Sequence, residues 1–140
     1  MAQIEWTPAM SVGHAGIDRQ HQTLLDIYNR FDAAASQGKG RREVEGIVAE
    51  LCRYTAIHFA TEEQVLAEHG YPDLARHQVL HRQLIAKLDE FQADLARGAR
   101  VTSVLRQFLG YWWQNHILEH DREFGAAIFG VGQVSPVSPD

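Results

Sequence analysis

The stretch VEGIVAELCRYTAIHFATEEQV, residues 44–65, decides the fold. One set of positions recurs in it at alternating gaps of four and three residues, which is the period of one face of an α-helix. The members of this stripe are Val44, Val48, Leu51, Thr55, His58, Glu62 and Val65. The stripe begins apolar but ends with an imidazole and a carboxylate one turn apart. The predicted helix therefore directs two polar side chains into its own core.

Three further stretches carry the same periodicity and predict three more helices. Their stripes are Ile17, His21, Leu24, Tyr28, Phe31 and Ala35; Leu74, His77, His81, Leu84, Leu88, Phe91 and Leu95; and Val101, Leu105, Leu109, Trp112 and His116. Asp18 is the predicted N-cap of the first helix, Gly70 the cap of the second, and Pro72 the opening of the third. The short loops between them are typical of an all-α, antiparallel up-down-up-down four-helix bundle. An extended arm over residues 1–16 precedes it.

The composition of the 140-residue chain, 45% hydrophobic and 22% charged, is that of one globular domain. We expect this domain over residues 1–130 and a disordered tail over residues 131–140. A net charge of −5 with scattered basic residues argues against a nucleic-acid partner. No signal peptide or membrane-spanning run is evident, which predicts a cytoplasmic protein with no membrane insertion. The single cysteine, Cys52, excludes an intrachain disulfide and is predicted to be a core or boundary residue.

The polar members of the four stripes converge on one end of the predicted bundle. They are His21, His58, Glu62, His77, His81 and His116. Those of the first and third helices lie near the helix starts, and those of the second and fourth lie near the helix ends. In an antiparallel bundle these positions share one height. Burying such a cluster is costly unless something satisfies it, so the pattern predicts a metal centre.

Asp121 lies five residues after His116 and is a further candidate ligand. On an ideal helix the two side chains point about 140° apart. Both reach one site only if the helix ends, loosens or bulges between them. Each of these histidines taken alone is more often a hydrogen-bonded core residue than a ligand, and it is their joint arrangement that favours metal binding.

Three histidines and one glutamate that could also bind a metal fall outside the stripes. His14, His69 and His120 are predicted to lie on the surface or in loops. Glu63 follows Glu62 but points about 100° away from it on a helix, which predicts a solvated position.

The donor atoms narrow the choice of metal. Imidazole and carboxylate without thiolate favour iron, zinc, copper or manganese over an iron–sulfur cluster. Seven candidate ligands are too many for one tetrahedral zinc ion. They suit two metal ions bridged by carboxylates.

The spacing of several motifs resembles that of the hemerythrins, specifically the single-domain bacterial hemerythrins. The matching motifs are IEW at 4–6, SVG at 11–13, IDRQH at 17–21, HFATEE at 58–63, GYP at 70–72, HQVLH at 77–81 and NHILEHD at 115–121. The resemblance covers about residues 3–125. It implies two non-haem iron ions joined by an oxo or hydroxo bridge.

The resemblance also implies a role for each candidate. The expected ligands are His77, His81 and His116 on one iron, His21 and His58 on the other, and Glu62 and Asp121 bridging the two. The iron with two histidines keeps an open position for dioxygen. The oxygen pocket is expected to include Trp112, Trp113 and Ile117.

The chain departs from the family pattern at three positions. Trp113 stands where a smaller aliphatic residue commonly lines the oxygen pocket, so it could narrow the pocket or its access path. Glu119 and His120 replace smaller or neutral residues just before the bridging aspartate and could supply protons near the site. These differences affect the expected oxygen affinity and autoxidation rate rather than metal binding.

The function expected from the resemblance is reversible dioxygen binding, for storage, delivery or buffering, rather than catalysis. Five imidazoles and only two carboxylates agree with this, because anionic donors stabilise high-valent iron. Three alternatives stay open: a di-iron enzyme acting on peroxide or nitric oxide, an oxygen- or redox-sensing module, and an iron-handling or structural bundle. The expected partner is a protein that uses the bound oxygen, and the expected oligomeric state is a monomer.

Overall fold

The computed structural model describes residues 4–130, except for the side chains of Gln114, Leu118, Glu119, His120 and Arg122. The expectations for Glu119, His120 and the tail over residues 131–140 therefore lie outside the described part of the chain. The four long helices are α1 (Ala15–Ser36), α2 (Arg41–Glu68), α3 (Leu74–Ala96) and α4 (Thr102–Trp112). They form the four-helix bundle that the stripes predict. Among residues 4–130, every helix is too short or too polar to span a bilayer.

The fourth helix changes its winding where α4 ends. A π-helical stretch, Trp113–Asp121, continues directly from α4 and is called here the π segment. A short α-helical turn, Arg122–Phe124, and a second π-helical turn, Gly125–Phe129, complete the described chain. The fourth stripe thus predicts a helix in the right place but not its length or its winding.

The N-terminal arm is held against α1 by side-chain hydrogen bonds. The arm contains a 3₁₀ turn at Pro8–Met10, and α1 begins at Ala15, one residue before the predicted end of the arm. The prediction that Asp18 is the N-cap of α1 is wrong. His14 caps α1 instead, because its Nδ1 accepts a hydrogen bond from the backbone N–H of Ile17 at 3.1 Å. The Asp18 carboxylate accepts from the backbone N–H of Val12 at 2.8 Å, which fastens the arm to the first turn.

The connection between α2 and α3 is a tight helix stop. Gly70 has a φ of 66°, in the left-handed region that favours glycine. The backbone N–H groups of Gly70 and Tyr71 donate to the carbonyls of Ala67 and Leu66, which is a Schellman motif. The prediction that α3 begins at Pro72 is wrong, because α3 begins two residues later, at Leu74. This short connection brings the first turn of α3 against the last turns of α2.

The core consists of two apolar clusters with a polar layer between them. On α1, Ile17 belongs to the smaller cluster and Leu24 to the larger, with His21 between them in sequence. On α2, Phe59 and Leu66 flank the polar layer in the same way. Cys52 is half-buried against the larger cluster, at the boundary position expected for it.

Candidate metal centre

Seven buried side chains meet in the polar layer, and they are the seven predicted from the sequence. Each is at most 4% exposed. Their donor atoms form two groups, within each of which all atoms lie within 4.8 Å of one another. The first group is Glu62, His77, His81 and His116, and the second is His21, His58, Glu62 and Asp121. The structure therefore brings together all seven candidates.

Glu62 lies at the centre and belongs to both groups. Its Oε1 atom lies 2.8 Å from His77 Nε2 and 3.0 Å from His81 Nε2. Its Oε2 atom lies 3.2 Å from His58 Nε2 and 3.4 Å from His21 Nε2. Each oxygen of one carboxylate thus faces a different set of imidazoles, which is the arrangement that a bridging ligand requires.

Asp121 spans the two groups in a similar way. Its Oδ2 atom lies 3.0 Å from His21 Nε2, and its Oδ1 atom lies 3.1 Å from His77 Nε2 and 3.2 Å from His116 Nε2. The π segment makes this possible, because its hydrogen bonds join residues five apart and set His116 and Asp121 on one face. The prediction that the helix loosens between these two residues is confirmed.

Several buried polar atoms of the layer have no hydrogen-bond partner among the described residues. They include Nε2 of His21, His58 and His81, Oε2 of Glu62 and both carboxylate oxygens of Asp121. His77 Nε2 and Glu62 Oε1 are hydrogen-bonded at 2.8 Å, but the atoms just named have no such partner, so their desolvation is left uncompensated. Imidazole nitrogen and carboxylate oxygen are suitable donors for iron, manganese or zinc. The residues present therefore fit a metal pair.

The electrostatics without a metal favour proton binding by two of the imidazoles. Burial lowers the pKa of His21, but interactions with Asp121 and Glu62 outweigh it and raise that pKa to about 9. The same balance raises the pKa of His77 to about 10. Burial would raise the pKa values of Glu62 and Asp121, but the surrounding imidazoles hold both below their usual range. Burial lowers the pKa of His116 to about 4.

Metal uptake should therefore release protons. Because the pKa values of His21 and His77 are raised to about 9 and about 10, we expect both rings to carry a proton at pH 7 in the metal-free protein, which a metal ion must displace. We expect about two protons released per chain loaded at pH 7, and an affinity that rises with pH until both rings are neutral. In the metal-free protein, the two protonated imidazoles stabilise the folded state. This contribution to the free energy of unfolding is complete below pH about 6.5 and is lost as the pH rises through about 9 and about 10.

Isothermal titration of zinc into the metal-free chain, in buffers with different protonation enthalpies, counts these protons. The matched control is a titration at pH 10, where fewer protons should appear. An equal count at pH 7 and pH 10, or no proton release at pH 7, would contradict this electrostatic account.

Two side chains that we did not predict contact the candidate ligands from outside. Glu63 Oε2 lies 2.7 Å from His81 Nδ1, so the prediction of a solvated position for Glu63 is wrong. Gln20 Oε1 lies 2.7 Å from His58 Nδ1. The only feature of the sequence that pointed to Glu63 was its position directly after Glu62 on α2. The interface between two helices is wider than one row of side chains, so a position 100° from the stripe still faces α3.

Aromatic rings pack against the imidazoles of the polar layer. Phe59 stacks on His81 with ring centroids 3.6 Å apart, and Trp112 stacks on His116 at 5.2 Å. Trp112 also lines a surface cavity of about 390 Å³ that reaches His116. Trp113 is 3% exposed and lies edge-on to the His21 ring at 6.4 Å.

The predicted oxygen-pocket residues are thus divided between the two groups. Trp112 lies beside the group that contains His116, and Trp113 lies beside the group that contains His21. Ile117 is fully buried in the larger apolar cluster. Their assignment to an oxygen pocket stays a prediction.

Two histidines outside the stripes lie at helix ends. His69 is exposed at the C-terminal end of α2, as predicted, and its Nδ1 lies 2.9 Å from the carbonyl of Val65. His14 is half-buried and caps α1. Both rings contact Phe129, so they hold the end of the described chain rather than contribute to the polar layer.

Comparison with known proteins agrees with this site. A family model described as the hemerythrin HHE cation binding domain matches residues 12–128. The bacteriohemerythrin of Methylococcus capsulatus is 32% identical over 91% of this chain and 98% of its own length. That of Stenotrophomonas maltophilia is 31% identical over 89% of this chain and 80% of its own length. A crystal structure of wild-type hemerythrin superposes with a TM-score of 0.84 at 29% identity, covering 91% of this chain and 99% of that one. This chain therefore belongs to the hemerythrin family, whose cation-binding domain spans nearly all of its four-helix bundle.

Proposed function

We propose that this protein binds dioxygen reversibly at a pair of iron ions held by the seven-residue polar layer. The observation that carries the proposal is the position of Glu62, whose two oxygens face different imidazole groups. In this proposal Glu62 and Asp121 would be shared by the two ions, and an oxo or hydroxo group would complete the site. When bound, the iron pair would supply electrons to dioxygen on binding and take them back on its release.

The numbers of imidazoles around the two positions support an oxygen-binding site. The proposed ligands of one iron are His77, His81 and His116, and those of the other are His21 and His58. The second position has one imidazole fewer, which leaves room there for an exogenous ligand. Dioxygen is small and apolar, and a wall of buried rings and aliphatic side chains admits it while excluding water.

The apolar wall also explains why binding would be favoured over oxidation. Phe59, Ile117 and Phe124 are almost fully buried around the polar layer. An apolar shell limits the access of water and protons to a metal site and thereby slows irreversible oxidation. We further propose that the oxygen serves storage, delivery or buffering, with a protein that uses oxygen as the partner.

Visible spectroscopy of the iron-loaded protein tests the proposal. The protein is reduced without air, exposed to air and then purged with argon. A visible absorption band that appears with oxygen and disappears on purging, restoring the colourless reduced protein, supports reversible binding. If air produces only the oxidised spectrum, the carrier function is wrong, and redox sensing or turnover of peroxide or nitric oxide becomes the better reading.

Trp113 is expected to control the rate at which oxygen enters or leaves. Its indole is buried beside His21, next to the position with fewer imidazoles. Replacing it by leucine removes a large part of that wall, so we expect Trp113→Leu to change the oxygen association or dissociation rate by about tenfold or more. Flash photolysis or stopped-flow absorbance measures both rates.

The matched control is Trp112→Leu, which removes an indole that lies beside His116, in the other group of imidazoles. We expect a smaller kinetic effect from it. Equal oxygen kinetics in the Trp113→Leu variant and the wild type would remove Trp113 from the access path.

A further inference from the structure

We propose that Glu63 is a positioning residue for His81 and that it makes the two metal positions chemically unequal. This inference rests on the metal pair of the proposed function but not on oxygen binding. It concerns the ring nitrogens that face away from the metal positions, where one position has an anionic hydrogen-bond partner and the other has a neutral one.

The contact between Glu63 and His81 determines which ring nitrogen carries the proton. A carboxylate can only accept a hydrogen bond, so His81 donates from Nδ1 to Glu63 Oε2 at 2.7 Å. The Nε2 atom, which lies 3.0 Å from Glu62 Oε1 inside the polar layer, is then free to bind a metal. Phe59, stacked on the His81 ring, fixes the plane of the imidazole.

Glu63 is itself held in place. Its side chain is 27% exposed, and its Oε1 accepts a hydrogen bond from Gln78 Nε2 at 3.3 Å. Gln78 lies on α3, one residue after His77. The Glu63 carboxylate therefore links α2 to α3 beside the site. Its orientation is set by its hydrogen bonds to Gln78 and His81.

The other metal position has a neutral counterpart. His58 Nδ1 lies 2.7 Å from Gln20 Oε1, and Gln20 Nε2 lies 3.4 Å from Thr61 Oγ1. This amide oxygen selects the same imidazole tautomer as Glu63 does, without adding a negative charge. Hydrogen bonds to an ionised acceptor are about twice as strong as neutral ones. They also make the imidazole a stronger electron donor to a metal.

The consequence is a charge difference between the hydrogen-bond partners of the two positions. The metal ion bound by His81 should be held more tightly and should favour its oxidised state, because its imidazole has an anionic partner. The metal ion bound by His58 lacks that contribution. This asymmetry adds to the unequal number of imidazoles in the two groups.

The substitution Glu63→Gln keeps a hydrogen-bond acceptor and removes only the charge. We expect the dissociation constant of one metal ion of the pair to rise about 10- to 100-fold, while the second ion is retained. We also expect the midpoint potential of the iron-loaded protein to rise. The reciprocal substitution Gln20→Glu should lower the midpoint potential, because it gives His58 an anionic partner.

Chelator competition followed by metal analysis, together with redox potentiometry, tests these expectations. The matched control is Glu68→Gln, which removes an exposed carboxylate from the same helix. Thermal unfolding of each metal-free variant separates a loss of folding from a loss of metal. In the zinc-loaded protein, the ¹⁵N shifts of the His81 ring report the tautomer, and Glu63→Ala should broaden or shift them.

Each outcome decides the inference. Loss of one metal ion and a raised potential in Glu63→Gln, with Glu68→Gln unchanged, support it. Unchanged metal retention and potential in Glu63→Gln overturn it even if the wild type binds oxygen reversibly. If the wild type holds two metal ions but fails to bind oxygen, a positive result for Glu63 still stands and only the proposed function fails. A wild-type chain that holds fewer than two metal ions overturns both.

Discussion

The variant Glu62→Ala is expected to lose both metal ions, which is the largest effect that we predict for a single substitution. The carboxylate is fully buried, and its two oxygens lie within 3.4 Å of four imidazoles from both groups. No other described side chain belongs to both groups of donor atoms. Its removal takes one donor from each position and leaves the imidazoles without their central anion, so neither position keeps a complete set.

Metal analysis of the purified variant after reconstitution with ferrous iron measures this effect. The wild type should carry about two ions per chain and Glu62→Ala close to none. The isosteric variant Glu62→Gln tests whether charge or shape matters, and we expect it to lose at least one ion. The Glu68→Gln variant, altered at the exposed end of α2, should keep the full complement. Retention of two ions by Glu62→Ala would show that Glu62 is not a shared ligand.

Removal of the metal from the wild type is the second change with a large expected effect. Seven polar side chains are buried in one layer, and several of their atoms have no hydrogen-bond partner among the described residues. A ligand that binds only the folded state at a concentration 1,000 times its dissociation constant stabilises that state by about 4 kcal/mol. We therefore expect the Tm of the metal-free chain to be lower by roughly 10 °C or more.

Circular dichroism during heating, with and without a chelator, measures the difference. The Glu62→Ala variant is the matched control, since its Tm should not respond to added iron or zinc. A wild-type Tm that is the same with and without metal would mean that the layer is stable through its own ion pairs, contrary to this prediction.

The helical periodicity carried most of the information about the fold, because the side chain of every third or fourth residue must be buried in a bundle. The same periodicity exposed the metal centre, since His58 and Glu62 occupy positions that an ordinary helix fills with leucine or valine. The five-residue spacing between His116 and Asp121 predicted a local change of winding. That spacing did not predict that the π-helical winding begins at Trp113, because the apolar positions of the stripe are the same for either winding up to that residue.

The remaining differences come from contacts between elements, which a stripe on one helix does not describe. Glu63 faces α3 because the turn at Gly70 sets that helix at a particular height and angle. Aspartate is a common N-cap residue, but the Asp18 carboxylate accepts a hydrogen bond from Val12 in the arm. His14 therefore caps α1 instead. Consecutive tryptophans at 112 and 113 lie beside different imidazole groups, and only their positions in the folded bundle reveal that division.

The winding of the π segment gives the backbone a part in metal binding. A π-helix is a rarely adopted register, so its retention over Trp113–Asp121 depends on interactions outside the backbone. His116 and Asp121 are anchored within it, and a metal ion that joins them would hold this register against the α-helical alternative. Local opening of a helix exposes its amide protons to exchange with solvent. We therefore expect the backbone amides of the π segment to exchange with deuterium more slowly when the metal is bound, so that their exchange rates report metal occupancy.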